Sequence, residues 1–346
     1  MIYRKTAIVA AVIVIFIIVI ALYQFLIIPT PTPTITSTIT TSTLSVTTST
    51  EKLEWKEGWP RTIRIGAAAP GGGFYMAASA IANVLSEVFK IEVIVEQTKA
   101  SVHNIKLMEE GSIELGMTTT DTTWEAWYGK GGFTKEYRGF RILMPGWPGP
   151  YMFVTLEKYG IRSIRDFNGK TFSALTPGSA TDVFVRKVFS TLKINATIVN
   201  LSPSDTTEAL KSGVIQGFGI GHPAPSVVEL ARTEKVKILT LSGEDAEIFL
   251  REHPEFTYPL TIPAGYYYPE QPKLLAVGMY NLVIVKADLP EDLVYTILKA
   301  LYSHVNIINA TWPAMAIGMS PENVKFINVP LHPGAEKFYR ELGVIK

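Results

Sequence analysis

Two α/β lobes facing each other across a cleft, behind an N-terminal transmembrane helix, are the architecture this sequence predicts. Three observations lead there. One order of strands, helices and glycine loops occurs twice in the chain. Two long β-branched and aromatic stretches lie between and after the copies. Residues 6–28 run 23 positions without a charge.

That apolar run comes first. At about 1.5 Å per helical residue it reaches about 35 Å, against a hydrocarbon core of about 30 Å. It is longer than the apolar region of a signal peptide, and it runs through Leu26, Ile27 and Ile28 into Pro29 with no small-residue cleavage site. An uncleaved single-pass anchor over residues 1–28 is expected. Arg4 and Lys5 precede it and no positive charge follows until Lys52, which leaves the N-terminus in the cytoplasm and the bulk of the chain outside. Residues 29–50 hold 11 Thr, 4 Ser and 3 Pro. Such a stretch lacks the apolar surface to offset the entropy of folding and reads, over 29–57, as an extended stalk, either O-glycosylated or an ordinary linker. Asn195, Asn200 and Asn309 each open an N-x-Ser/Thr sequon.

The first copy begins with a strand at 63–67, breaks at Pro70-Gly71-Gly72-Gly73 and becomes helical from Phe74. A strand at 91–96 leads through Ser101 to a helix capped by Gly111, and a strand follows at 113–117. The second copy runs from a strand at 171–174 through Pro177-Gly178-Ser179 to a helix at 182–192. A strand at 197–201, a helix at 206–212, the cap Gly213 and a strand at 215–220 complete it. Strands alternating with helices imply parallel sheets, whose ligands sit beyond the strands' carboxyl ends. Residues 140–145 with 151–155, and 275–285, suit strands that cross between lobes. Pro290 opens a helix through Ser303, and 305–346 supply at least one more. Lobe I is therefore expected at 58–147 and 283–346, and lobe II at 148–282.

Composition narrows the chemistry. Beyond Thr50 there are 30 Lys and Arg (32 less Arg4 and Lys5) against 31 Asp and Glu, a balance that argues against nucleic acid as partner. No cysteine occurs, so disulfides and thiolate metal sites are excluded. The five histidines show no metal-ligand spacing, and no metal is expected. Gly71-Gly72-Gly73 lacks the G-x-G-x-x-G spacing, so no cofactor is expected. No G-x-S-x-G elbow is present, and no catalytic residue is assigned.

What remains are binding candidates, each with a plainer reading. The loops at Gly72-Gly73 and Gly178-Ser179-Ala180-Thr181 are tight turns, or their amides and helix starts hold a carboxylate. Ser101 and Asn104 open a helix as caps, or face the cleft. Thr120 and Asp121 begin another helix, where Asp121 favours capping. Asp121 or Asp182 is also placed to accept from an amine. Trp124 and Trp127 fit a core or a cleft wall, and Trp147 a wall. His222, in Gly221-His222-Pro223 between a strand and a helix, packs or contacts a ligand.

Together Gly72-Gly73-x-Tyr75, Ser101-Val102-x-Asn104 with Leu107-x-x-x-Gly111, Gly178-Ser179-x-Thr181, Gly221-His222-Pro223 and residues 286–292 resemble the TAXI family. Its members are extracytoplasmic solute receptors of TRAP transporters. The resemblance covers about residues 61–305 and implies a two-lobed periplasmic-binding-protein-like (type II) fold. It also implies a glutamate-like or dicarboxylate ligand and delivery to a TRAP-type permease. Ligand contacts are then expected from Gly72, Gly73, Phe74, Tyr75, Ser101, Asn104, Thr120, Asp121, Trp147, Gly178, Ser179, Ala180, Thr181, His222 and Pro223. Ala100, Glu114 and Ala180 depart from the family's usual residues and leave the exact ligand open. The alternatives are a receptor for an ABC-type importer, or a cell-surface sensor or enzyme on the same fold.

Overall fold

Alternation puts Ile63 and Ile65 of strand β1 (Thr62–Gly66) wholly in the core while Arg64 points out, the signature of a half-buried strand. The computed structural model describes residues 53–346. The expected anchor and most of the stalk lie outside the described residues, and no helix among the described residues is long and apolar enough to cross a membrane.

β1 passes through the glycine loop into α1 (Gly73–Phe89), then β2 (Glu92–Glu96), α2 (Ser101–Glu109), β3 (Leu115–Thr119) and α3 (Thr120–Trp127). After β4 (Phe140–Leu156) the order recurs with β5 (Thr171–Ser173), α4 (Ala180–Thr191), β6 (Thr197–Val199), α5 (Pro203–Ser212), β7 (Gly217–Gly221) and α6 (Pro225–Thr233). Gly111 and Gly213 both take the left-handed backbone expected of helix caps, at φ +75° and +84°. Each copy makes a parallel sheet, with β1 between β2 and β3, and β5 between β6 and β7. β8 (Val236–Leu239), α7 (Gly243–Glu252) and β9 (Thr257–Ile262) follow, then β10 (Leu274–Lys286) and α8 (Glu291–Ser303). Short helices α9 (Val305–Thr311) and α10 (Pro313–Gly318) lead to α11 (Pro333–Glu341). Where at least one closing helix was expected there are three, and they pack with α1 and α8 over the first sheet.

The two crossing strands join everything. β4 and β10 pair antiparallel from Phe140 opposite Lys286 to Pro150 opposite Gly278. β10 also borders β3, and the far end of β4 borders β7 and β8, giving the order β2-β1-β3-β10-β4-β7-β5-β6. Residues 140–145 and 151–155, expected as separate strands, form one strand of 17 residues. The intervening prolines are tolerated because the ladder is irregular there: Tyr280 faces Pro148 but Leu282 faces Pro145, one extra residue on β4. A Cβ on Gly146 would stand 2.8 Å from the Asn281 carbonyl oxygen, so only glycine lets the strands meet so closely.

Asn104 fastens the first sheet. Expected at the cleft, it is instead fully buried behind it, with its Nδ2 donating to the carbonyls of Gly66, Ala67 and Met117 at 2.7–3.1 Å. Its Oδ1 accepts from the Thr98 hydroxyl at 2.6 Å. One amide therefore ties the ends of β1 and β3 to the loop after β2. Asn104→Ala leaves these buried groups without a partner and is expected to cost about 3 kcal/mol, read as a lower midpoint in denaturant unfolding.

Candidate functional site

Six helices start near the ends of six strands, because in each copy every parallel strand is followed, at once or through a short loop, by a helix. The starts of α1, α2 and α3 face those of α4, α5 and α6 across a cleft: Gly72 and Gly73, Ala100 and Ser101, and Thr119 on one side, Ser179 and Ala180, Pro203, and Ala224 and Pro225 on the other. Each helix start carries roughly +0.5 of an elementary charge on its unsatisfied amides. Among the described residues no Lys, Arg, Asp or Glu lines the cleft. Its free volume is about 150 Å³, about what a benzene-sized molecule occupies in a protein cavity.

Of the expected contacts, Gly72, Gly73, Phe74, Ser101, Trp147, Ser179, Ala180, Thr181, His222 and Pro223 line this cleft. The β4 irregularity turns Trp147 into the wall, where it meets Phe74 and Trp312 edge-on and its carbonyl takes a 2.9 Å hydrogen bond from Asn281 Nδ2. Ser179 caps α4 by accepting from the Asp182 amide at 3.2 Å, which leaves its hydroxyl proton to give.

Tyr75, Asn104, Thr120, Asp121 and Gly178 are not among the residues that line the cleft. Tyr75, partly buried, packs against the core over the first sheet. Thr120 Oγ1 accepts from the Tyr280 amide. Gly178 donates its amide to Asp182 Oδ2 at 3.0 Å, so that amide is engaged inside the protein and not aimed at a ligand. Asp182 Oδ1 accepts from Arg186 and Asn200. Neither Asp182 nor Asp121 reaches the cleft to meet an amine. Trp124 packs on Tyr128 and Trp127 on Phe140, both away from the cleft.

Sequence reasoning missed Asn281, Met279 and Thr176, which line the wall, and Tyr267, which orients it. Tyr267 is buried, receives the Ala224 amide at 3.1 Å and lies 2.8 Å from His222 Nδ1. Its amide is held in turn by Gln271 Oε1 at 3.0 Å. Nothing in the local sequence joins residues 45 positions apart. Thr119 and Gly221 were within reach, since each directly adjoins an expected residue.

Behind the cleft sits a buried charged cluster. Lys187 of α4 pairs with both Glu125 of α3 and Glu255, bridging the two halves of the molecule. His253 and Lys187 hold the Glu255 carboxyl down at about 2 against its burial. Asp121 is 1% exposed, its Oδ1 has no partner, and burial with the nearby Glu125 charge raises its pKa to about 7. Between its ordinary 3.8 and about 7 the unfolded chain releases this proton while the folded one keeps it, so Asp121 lowers stability as pH rises through that window. Asp121→Asn should gain stability over the wild type progressively from pH 4 to 7 and hold the gain above. Parallel pH–stability curves for the two proteins would show that Asp121 titrates normally.

The cleft and its topology have relatives. A solved structure described as a periplasmic transporter is 14% identical, with TM-score 0.51, covering 82% of this chain and 92% of that one. A substrate-binding protein of an ABC uptake transporter from Streptococcus pneumoniae, solved with bound histidine, is 16% identical, with TM-score 0.50, covering 75% and 95%. The chain shares the α/β fold of these two structures. The profile of the NMT1-like family matches residues 65–343.

Proposed function

The chain belongs to the NMT1-like family, and on that premise we propose that it is an extracytoplasmic solute-binding receptor that captures a small organic anion and delivers it to a membrane permease. The observation that carries this reading is the convergence of six helix starts on a cleft with no charged side chain in its wall. Main-chain amides and dipoles then do what a cation would otherwise do. Within this reading lobe I spans 58–147 and 283–346 and lobe II 148–282, and the lobes close on the ligand about the β4–β10 crossing.

The finer assignment is a TAXI-type receptor serving a TRAP permease, with a glutamate-like amino acid or a dicarboxylate as solute. The five sequence motifs support it. An ABC-type importer is the second reading, favoured by the fold shared with the histidine-bound receptor. Calorimetry of the protein against glutamate, glutamine, 2-oxoglutarate, succinate and fumarate is expected to find a binder at micromolar affinity or tighter. At 1,000 times its dissociation constant that compound should stabilise the fold by about 4 kcal/mol. If no anion raises the melting temperature, or the compound is consumed during titration, the receptor reading fails.

The apolar run at 6–28 supports membrane attachment with the folded part outside. The full-length protein should sediment with membranes and be open to protease added from outside. A soluble product beginning near Pro29 would instead mark the run as a cleaved signal.

A further inference from the structure

Resting on the anion-receptor reading, we propose that the solute is a small carboxylate without an ammonium group, gripped by two neutral side-chain donors from opposite lobes. These are the Ser101 hydroxyl and the Nε2–H of His222, with Tyr267 as the positioning residue that fixes the His222 tautomer.

Ser101 is the first donor. It is 0% exposed, lines the cleft and opens α2, yet its Oγ has no hydrogen-bond partner in the protein. It does not cap its helix, since the cap position is Ala100. A buried hydroxyl left unpaired is uncommon, and a ligand oxygen in the cleft supplies the missing acceptor.

His222 is the second. The Tyr267 oxygen already accepts from the Ala224 amide, so its single proton is the one available for His222 Nδ1, 2.8 Å away. The opposite assignment would give that oxygen two donors and strand the buried phenolic proton. Nδ1 is therefore the acceptor and the ring proton sits on Nε2, the nitrogen left for the cleft. Burial lowers the imidazole pKa to about 4, so the ring is an uncharged donor. Tyr266 stands edge-on to it at 4.5 Å and helps hold the ring in place.

Among the described residues the wall offers no carboxylate to receive an ammonium. The acids expected to serve an amine are engaged or sealed away: both Asp182 oxygens are hydrogen-bonded inside the protein, and Asp121 is buried behind the wall. An ammonium in the cleft would lose water and face six positive helix starts with no carboxylate to meet it.

The test uses the full-length protein in mild detergent and two matched pairs, 2-oxoglutarate with L-glutamate and pyruvate with L-alanine. In at least one pair the oxo acid should bind at least tenfold tighter than the amino acid. Ser101→Ala and His222→Leu should each weaken that oxo acid at least tenfold without lowering the melting temperature of the free protein. His222→Gln, which keeps a neutral donor, should recover most of the loss, a rescue that a packing role would not give. Tyr267→Phe should weaken binding several-fold. An amino acid that binds as well as its oxo partner overturns the ligand class while the anion-receptor reading stands. If neither these four probes nor succinate nor fumarate binds, both are overturned. An oxo acid that binds alike to wild type and variants overturns the donor assignment.

Discussion

The antiparallel pairing of β4 with β10 is the constraint on which the rest of the structure hangs. β4 runs through both sheets, β10 contributes to the cores on both sides (Val283 and Val285 in one, Val277 and Met279 in the other), and their ladder joins the two. At its centre the strands approach too closely for any side chain at Gly146, and Gly318 at the end of α10 presses on the same stretch, against Gly146 and Trp147. The C-terminal helices thereby rest on the crossing itself. The extra residue on β4 falls at this point and presents Trp147 to the cleft, while Asn281 of β10 holds its carbonyl. A local fault in pairing thus becomes a wall of the site.

Much of this was legible, and the reasons are physical. The two copies were readable because strand and helix periodicities alternate and because Gly111 and Gly213 must adopt left-handed backbone. The loops at Gly73 and Ser179 were readable because a parallel strand that turns into a helix has to put its ligand surface there. What periodicity cannot show is which way a polar side chain turns. Ser101 and Asn104 open the same helix, yet Ser101 faces the cleft and Asn104 faces the strand carbonyls. The continuity of β4 was hidden by Pro145, Pro148 and Pro150, which normally end a strand. Tyr267 was hidden because its contact with His222 exists only in three dimensions.

Polarity is divided between front and back. The cleft holds no charged side chain, while behind it Glu125, Glu255 and Asp121 gather around Lys187. Two carboxylates on one lysine, all shielded from solvent, make a link between α3 and α4 that salt screens far less than a surface pair. Removing one partner from such a set typically costs about 3–5 kcal/mol, because a buried charge is left behind. The halves of the molecule are thus coupled by charge at the back, and the front is left without charged side chains among the described residues.

A receptor of the proposed kind, whose attraction for anions resides in the main chain, has an evolutionary consequence. Point mutation replaces side chains and leaves peptide amides where they are, so the pull toward anions survives almost any change along the wall. In the anion-receptor reading proposed above, selectivity rests by contrast on a few replaceable groups such as Ser101, His222 and Trp147. A lineage built on this frame can exchange one cargo for another by altering those few positions, with its capacity to hold an anion intact throughout.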